Sequence, residues 1–188
     1  MAEGDRERWN TKWAGQGVGT THGSALIDLI GDRLPASGRA LDIAGGGSGD
    51  GLELARRGLE VTVVDVSDLG LAAATARAEA AGFELTTVVA DLDVDPLPPG
   101  PWDLVTVANF LDRDLLGRIG DHLAPHGLLA VTIATVTNLE RHDRPGARFL
   151  LDRGELLDLV GELEIVHHSE DWRPNGRHEA HLLATPRS

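Results

Sequence analysis

The sequence of 188 residues contains no cysteine, no tyrosine and a single lysine, Lys12. The absence of cysteine excludes a disulfide framework, a thiolate zinc site, an iron–sulfur cluster and a cysteine nucleophile. The absence of tyrosine removes the phenol as an acid–base group, and the lone lysine near the N-terminus disfavours Schiff-base chemistry. If the protein is an enzyme, its proton-transfer groups must be histidine, aspartate or glutamate, with arginine assisting.

Positive charge is also scarce, since 17 basic residues face 30 acidic ones and the formal net charge is −13. A phosphate backbone needs a basic face, so this balance predicts no nucleic-acid partner. No run of 18 apolar residues is present, and the charged first ten residues lack the apolar segment of a secretory signal. We therefore expect no membrane partner and a cytoplasmic location.

Short apolar runs rich in β-branched residues alternate with helical patterns. Such runs, bounded by turn or charged residues, are typical of strands that are buried on both faces of a parallel sheet. The predicted strands of this type cover residues 40–43, 60–64, 85–89, 104–108 and 128–136. The predicted helices cover residues 22–33, 50–57, 68–81, 112–123 and 152–160.

The sequence also predicts where the alanine-rich helix over residues 68–81 begins and ends, and it predicts two further strands near the C-terminus. Asp68 is the expected N-cap residue of the alanine-rich helix, and Gly82 is its expected stop. Residues 162–168 and 178–184 are predicted to be strands joined by a short turn, which makes them antiparallel. The fold class that follows is a doubly wound α/β sheet, mostly parallel, with an antiparallel hairpin at its C-terminal edge.

The most informative segment is LDIAGGGSGDG at residues 41–51, where glycines follow a strand and precede a helix. Asp65 follows the second strand, 19 residues after Gly46, which is the spacing of an acid that binds ribose hydroxyls. No dinucleotide fingerprint fits this segment, and Asp50 and Glu53 at the helix start would repel a pyrophosphate. The segment therefore favours a ligand without phosphate, although a glycine cluster alone also fits a flexible turn.

Five segments together resemble class I S-adenosylmethionine-dependent methyltransferases, over about residues 9 to 184. The resemblance rests on ALDIAGGGSGDGLELARRG (40–58), VTVVDVSDLGL (61–71), VVADL (88–92), WDLVTVANFLDRD (102–114) and the helix–turn–strand around residues 123–134. Within that class, NFLDRDLL (109–116) and FLLDRGELLDLV (149–160) are similar to small bacterial methyltransferases of the tellurite-resistance type.

The resemblance implies a Rossmann-like methyltransferase fold with a seven-stranded sheet, in one domain of three segments. These segments are an N-terminal helical lid (1–38), a cofactor-binding core (39–136), and a substrate-side loop, helix and β-hairpin (137–188). S-adenosyl-L-methionine would be the cofactor and S-adenosyl-L-homocysteine the product. By resemblance, the cofactor-binding residues are Asp42, Ala44, Gly45, Gly46, Gly47, Asp65, Val66, Asp91, Leu92, Asn109 and Phe110. A turn-capping role is the alternative for Asp42 and Asp91.

The sequence departs from the family pattern at two positions, because Ala44 and Ser48 replace the outer glycines of the first motif. The catalytic residues are not identified; His22, His142 and Arg148 are weak candidates. A helix-capping or exposed position is the alternative for His22, and a solvated loop is the alternative for the other two. His22 precedes a predicted helix where the family often closes a lid, and the other two lie in a charged loop after the fifth strand. No metal site is expected.

The function that these patterns predict is methyl transfer to a small-molecule acceptor, by a monomer or homodimer. Two alternatives stay open: a regulator that binds S-adenosylmethionine without catalysis, and, less favoured, an NAD-dependent oxidoreductase. Cytosine-5 methylation is excluded by the absence of a cysteine nucleophile.

Overall fold

The computed structural model describes residues 2–14 and 25–187. The chain divides into two compact units between Pro99 and Gly100, and each unit is described below by itself. The organisation into one domain of three segments stays a prediction.

The first unit alternates helices and strands, starting with two helices. Its elements are α1 (Ala2–Ala14), α2 (Ala25–Ile30), β1 (Gly38–Ile43), α3 (Asp50–Arg56), β2 (Leu59–Asp65), α4 (Asp68–Ala80) and β3 (Thr86–Val89). The three strands are parallel in the order β3-β2-β1. β1 and β2 are almost fully buried, as expected for apolar, β-branched strands covered by helices. All three predicted strands are present, but β3 lies at the edge of the sheet and is mostly exposed, so the expected burial on both faces is wrong for this strand.

The start of α4 corrects one detail of the sequence analysis. Ser67, not Asp68, is the N-cap, because its extended backbone precedes the helix and its hydroxyl accepts a hydrogen bond from the Gly70 N–H at 3.0 Å. Both residue types suit an N-cap, so the sequence pattern placed the boundary one residue too late. Gly82 does follow the helix with a φ of +80°, which confirms the predicted stop.

The second unit contains the remaining four strands, in the order β4-β5-β7-β6. Its elements are β4 (Trp102–Ala108), α5 (Arg113–Arg118), β5 (Leu123–Ala134), α6 (Glu155–Leu159), β6 (Glu164–Trp172) and β7 (His178–Thr185). The β4–β5 pair is parallel, whereas β7 is antiparallel to both β5 and β6. The predicted antiparallel C-terminal hairpin is therefore confirmed.

The predicted helix over residues 112–123 is wrong in its second half. The α-helix ends at Arg118, a 3₁₀ turn covers Ile119–His122, and β5 begins at Leu123. Two glycines within four residues, Gly117 and Gly120, weaken an α-helix here, and Leu123 gains a partner by pairing with Trp102 of β4.

Within the described residues, no helix combines the length and apolarity that a membrane span requires.

Candidate functional site

The glycine loop between β1 and α3 is largely buried, and three of its four glycines are required either by close packing or by backbone conformation. A Cβ on Gly45 would collide with the carboxylate of Asp42 and with Val63. Gly46 has a φ of +45°, a conformation that other residues rarely adopt. A Cβ on Gly47 would lie 2.6 Å from the ring of Trp13. The backbone of the loop therefore packs directly against the side chains around it, with no room for a Cβ at Gly45 or Gly47.

The two departures from the family motif have different consequences in this loop. Ala44 has a φ of +53°, so the position where the family has glycine does adopt the left-handed conformation, and the alanine is strained. Ser48 shows no such strain; its hydroxyl accepts a hydrogen bond from the Asp50 N–H at 3.3 Å, at the start of α3. The serine thus adds a polar contact to the turn.

Arg77 of α4 holds the glycine loop in place through hydrogen bonds to its backbone. Its guanidinium donates hydrogen bonds to the carbonyl oxygen of Gly47 and, at 3.1 Å, to that of Ser48. The side chain is buried, and this burial lowers the pKa of the guanidinium. Arg77 was not among the predicted site residues, because nothing in its helical sequence context distinguishes it from an exposed arginine.

Asp65 ends β2 beside the glycine loop. Its Oδ1 accepts a hydrogen bond from the Ser67 N–H at 2.7 Å, and the backbone N–H groups of Gly46 and Val66 act on the carboxylate in the same way, lowering its pKa. Burial raises the pKa of Asp65, while these hydrogen bonds and the charge of Lys12 act in the opposite direction. The structure therefore brings together the predicted glycine loop and the predicted ribose-binding acid.

Helix α1 covers this part of the first unit. Arg6 donates to the Val66 carbonyl oxygen at 3.2 Å, and the Asn10 side chain bonds to Asp68 and Ser67 at 2.8 and 2.7 Å. The Trp13 ring lies over the glycine loop, because Cβ atoms built on Gly46, Gly47 and Gly70 would all meet it.

Trp13 is a second residue of this site, after Arg77, that the sequence analysis missed. The available signal was a pair of tryptophans, Trp9 and Trp13, four residues apart on an otherwise polar helix. Lys12 lies beside both rings, and burial lowers the pKa of its ammonium group, partly offset by the charge of Asp65.

The predicted adenine-binding residues lie after β2 and β3. Val66 and Leu92 are half-buried, as is Asp91. The Asp91 carboxylate accepts a hydrogen bond from the Asp93 N–H at 3.2 Å, and its own N–H donates to Asp95 at 2.9 Å. Asp91 thus has the turn-capping contacts that were the alternative to a cofactor role, and one carboxylate oxygen is already engaged.

The second unit holds the last two predicted cofactor residues. Asn109 follows β4 with a φ of +58°, a conformation that asparagine tolerates better than most residues. Its N–H donates to the Thr132 carbonyl oxygen, and its Oδ1 accepts from Arg177 at 2.5 Å. Phe110 is half-buried beside it in sequence.

The structure does not bring the three catalytic candidates together in one site. His22 lies outside the described residues. His142 is exposed, and its Nε2 hydrogen-bonds to the Gly176 carbonyl oxygen at 2.7 Å, while Arg148 is exposed and stacks on Phe149. Among the residues that the structure describes, no three His, Asp or Glu side chains form a group suited to a metal ion.

Comparisons with known proteins agree with this arrangement. Residues 40–127 match the model of a family described as a methyltransferase domain. A demethylmenaquinone methyltransferase of Thermus thermophilus is 38% identical over 112 residues, which is 56% of this chain and 50% of that protein. The chain thus spans about half the length of this curated relative.

Two solved structures are similar over almost the whole chain. A TehB-like S-adenosylmethionine-dependent methyltransferase from Corynebacterium glutamicum has a TM-score of 0.67 and 21% identity, covering 99% of this chain and 98% of its own. TehB from Haemophilus influenzae has a TM-score of 0.73 and 17% identity, covering 97% and 67%. At these identities the likeness shows the fold.

The fold and the glycine loop define an α/β protein with a seven-stranded, mostly parallel sheet of the Rossmann-like methyltransferase type. Residues 40–127 are thus similar to a methyltransferase domain, and the fold resembles that of TehB-like S-adenosylmethionine-dependent methyltransferases. The predicted fold class is confirmed, and the match of residues 40–127 supports the predicted resemblance.

Proposed function

We propose that this protein transfers a methyl group from S-adenosyl-L-methionine to a small-molecule acceptor. The observation that carries the proposal is the buried carboxylate of Asp65, which lies 3.0 Å from a Cβ built on Gly46 and accepts a hydrogen bond from the Ser67 N–H. A carboxylate at the end of the second strand accepts hydrogen bonds from ribose hydroxyls, and the buried loop lets backbone approach the ligand closely.

The residues of the loop fit a nucleoside that carries no phosphate. Asp50 is buried in the first turn of α3, and Glu53 lies in the same turn. Carboxylates at this place oppose a pyrophosphate, which would need the N–H groups and positive potential of the helix start. A cationic sulfonium meets no such repulsion.

In the proposed site, Asp42, Ala44, Gly45, Gly46 and Gly47 hold the methionine part of the cofactor. Asp65 would accept hydrogen bonds from the ribose hydroxyls and Val66 would pack on the adenine. Asp91 would accept a hydrogen bond from the adenine amino group, with Leu92 beside it. Asn109 and Phe110 face the transferred methyl group. When bound, the cofactor supplies a methyl carbon activated by its sulfonium, so the protein's contribution is placement, water exclusion and, where needed, removal of a proton.

Calorimetric titration tests the cofactor assignment. We expect S-adenosyl-L-homocysteine to bind and NAD not to bind. Binding of NAD alone would make an oxidoreductase the better assignment.

Transfer of a labelled methyl group tests the reaction. The acceptor panel contains phenols, thiols, amines, metalloid oxyanions and a demethylmenaquinone, the last suggested by the name of the Thermus relative. Tight binding of S-adenosyl-L-homocysteine without transfer to any acceptor would favour a non-catalytic regulator. The cytoplasmic location, the absence of a nucleic-acid partner and the monomeric or homodimeric state stay predictions.

A further inference from the structure

One face of β7 carries buried polar side chains that the cofactor site does not use. Glu179 and His181 alternate along the strand, so both project from the same face. Glu179 is 2% exposed and His181 is 6% exposed. Ionisable groups are rarely buried to this degree without a specific partner or role.

The two side chains form a hydrogen-bonded pair that neighbouring polar groups hold in place. His181 Nε2 lies 3.4 Å from Glu179 Oε2, and Glu179 Oε1 lies 3.3 Å from Arg177 and 3.4 Å from Asn175. Burial tends to raise the pKa of Glu179, but the hydrogen bond from His181 and the charge of Arg177 outweigh it and lower the pKa below its usual value. Arg177 also donates to Asn109.

The pair lies at the carboxyl ends of parallel strands. β7 runs antiparallel to β5, and Glu179 and His181 stand opposite Ala134 and Thr132 near the end of β5. Asn109, which follows β4, donates its N–H to the Thr132 carbonyl oxygen. Open α/β sheets bind their ligands at this edge. We name Asn109, Thr132, Arg177, Glu179 and His181 the β7 cluster.

Two polar atoms of the β7 cluster have no hydrogen-bond partner among the described residues. The Thr132 hydroxyl is buried and has no hydrogen-bond partner in the described part of the chain. Thr132 is directly opposite His181, so the two side chains lie on the same face of the sheet. With Nε2 of His181 turned to Glu179, Nδ1 has no hydrogen-bond partner among residues 2–14 and 25–187.

We propose that His181, oriented by Glu179, is the proton acceptor for a methyl acceptor that carries a hydroxyl group. This inference rests on the proposed methyltransferase function and adds to it a catalytic residue and a substrate class.

The hydroxyl oxygen of the acceptor forms the new bond to the methyl carbon, while the bond from that carbon to sulfur breaks and leaves its electron pair on sulfur. The hydroxyl proton passes to Nδ1 of His181, and the carboxylate of Glu179 stabilises the resulting imidazolium through Nε2–H. The imidazolium then releases the proton to water. The products are the methyl ether, the neutral thioether and one proton.

The charges of the β7 cluster favour a neutral hydroxyl over an oxyanion. The guanidinium of Arg177 is already matched by the carboxylate of Glu179, so the cluster has no net positive charge for an anion when His181 is neutral. An oxyanion that attacks through a lone pair also needs no base. A phenol, with an ordinary pKa of about 10, is mostly protonated at neutral pH and gains most from a proton acceptor.

The kinetic test replaces His181 by glutamine, whose amide nitrogen imitates Nε2 but whose side chain accepts no proton. We expect H181Q to bind S-adenosyl-L-homocysteine like the wild-type protein in calorimetry. Transfer of the labelled methyl group to phenols should fall by at least about 100-fold, the usual contribution of a general base. Unchanged transfer in H181Q would overturn the proposal, as would wild-type transfer to oxyanions and not to phenols.

A second histidine–glutamate pair supplies the matched control. His168 and Glu170 of β6 lie 3.6 Å apart, and His168 stands opposite Leu182, which projects from the face of β7 away from His181. H168Q should leave transfer unchanged. Equal losses in H168Q and H181Q, with lowered melting temperatures, would indicate a structural role and contradict the proposal.

A spectroscopic test needs no acceptor. The ring ¹⁵N chemical shifts of neutral His181 should show the proton on Nε2 and none on Nδ1, and E179Q should weaken this preference. A proton on Nδ1 in the wild-type protein would overturn the proposal whatever the activity. If S-adenosyl-L-homocysteine fails to bind while the Nε2–H tautomer is observed, the methyltransferase function fails and this inference falls with it.

Discussion

Backbone conformation at single residues decides how the glycine loop is built. Gly46 and Ala44 both have positive φ, yet only one of them is glycine. Gly45 and Gly47 have no such φ and are instead required by the closeness of Asp42, Val63 and Trp13. The same residue type is therefore needed for two physical reasons, conformational freedom and lack of a Cβ.

The strain at Ala44 gives a prediction about stability. A left-handed conformation costs an L-residue about 1–2 kcal/mol, which exceeds the additional entropy that glycine loses on folding, about 0.5–1 kcal/mol. We expect A44G to raise the free energy of unfolding by roughly 0.5–1 kcal/mol in denaturant titration. The control A72G, at an exposed helical position of α4, should lower it by about 1 kcal/mol. A fall in both variants would contradict the strain at Ala44.

Asp65 gives a prediction about cofactor affinity. D65N keeps the shape of the side chain but removes the charge that two ribose hydroxyls would meet. Hydrogen bonds to a charged group contribute about 1.5–3 kcal/mol, so the affinity for S-adenosyl-L-homocysteine should fall by more than about tenfold. Calorimetry measures the change, with E60Q, at an exposed position of the same strand, as control. An affinity equal to that of E60Q would show that Asp65 does not bind ribose.

At the scale of elements, helix α1 has little reason to fold by itself. It has 13 residues, most of them polar, and isolated helices of this length are marginal in water. Its tertiary contacts are the hydrogen bonds of Arg6 and Asn10 to the β2–α4 turn and the packing of Trp13 on glycines. The helix therefore depends on the same loop that the proposed cofactor would contact.

Trp13 is expected to form part of the wall of the cofactor site. W13A should weaken binding of S-adenosyl-L-homocysteine by about tenfold, because a large buried aromatic surface contributes 1 kcal/mol or more. Trp9 lies on the same helix and is half-buried, so W9A is the matched control and should change the affinity much less. Tighter binding in W13A would mean that the ring blocks the site instead of lining it.

At the scale of the whole molecule, charge is the dominant property. With a net charge of −13, the protein repels the phosphate backbone at long range. We expect no binding to duplex DNA or single-stranded RNA in fluorescence anisotropy at low salt, where electrostatic attraction would be strongest. Salt-dependent binding that weakens as ionic strength rises would contradict this and would indicate a local basic patch.

The strands, the glycine loop and Asp65 were predictable because each has a local signature. Buried parallel strands appear as short β-branched runs, and the glycine–acid spacing depends on one strand–turn–helix unit. Boundaries were less predictable. The N-cap of α4 is Ser67 and not Asp68, because the cap geometry depends on the backbone conformation of each residue. The helix expected to reach residue 123 ends at Arg118, because Leu123 pairs with β4 instead.

Contacts between residues far apart in the chain could not be predicted from the sequence. Arg77 donates to a loop 30 residues away, and Trp13 packs on glycines more than 30 residues further along the chain. His181 and Glu179 could be placed on one face of a strand by their spacing, but neither their burial nor their contact with Arg177 has a local signal. Burial depends on what the rest of the chain packs against a surface.

By itself, the sequence determined the order of helices and strands, the glycine loop, the acid that follows it and the exclusion of thiol and phenol chemistry, because these depend on residue type and short spacing. The tertiary structure decided which residues meet. It put strain on Ala44, set Trp13 over the loop and buried the Glu179–His181 pair, because these properties depend on neighbours distant in the chain.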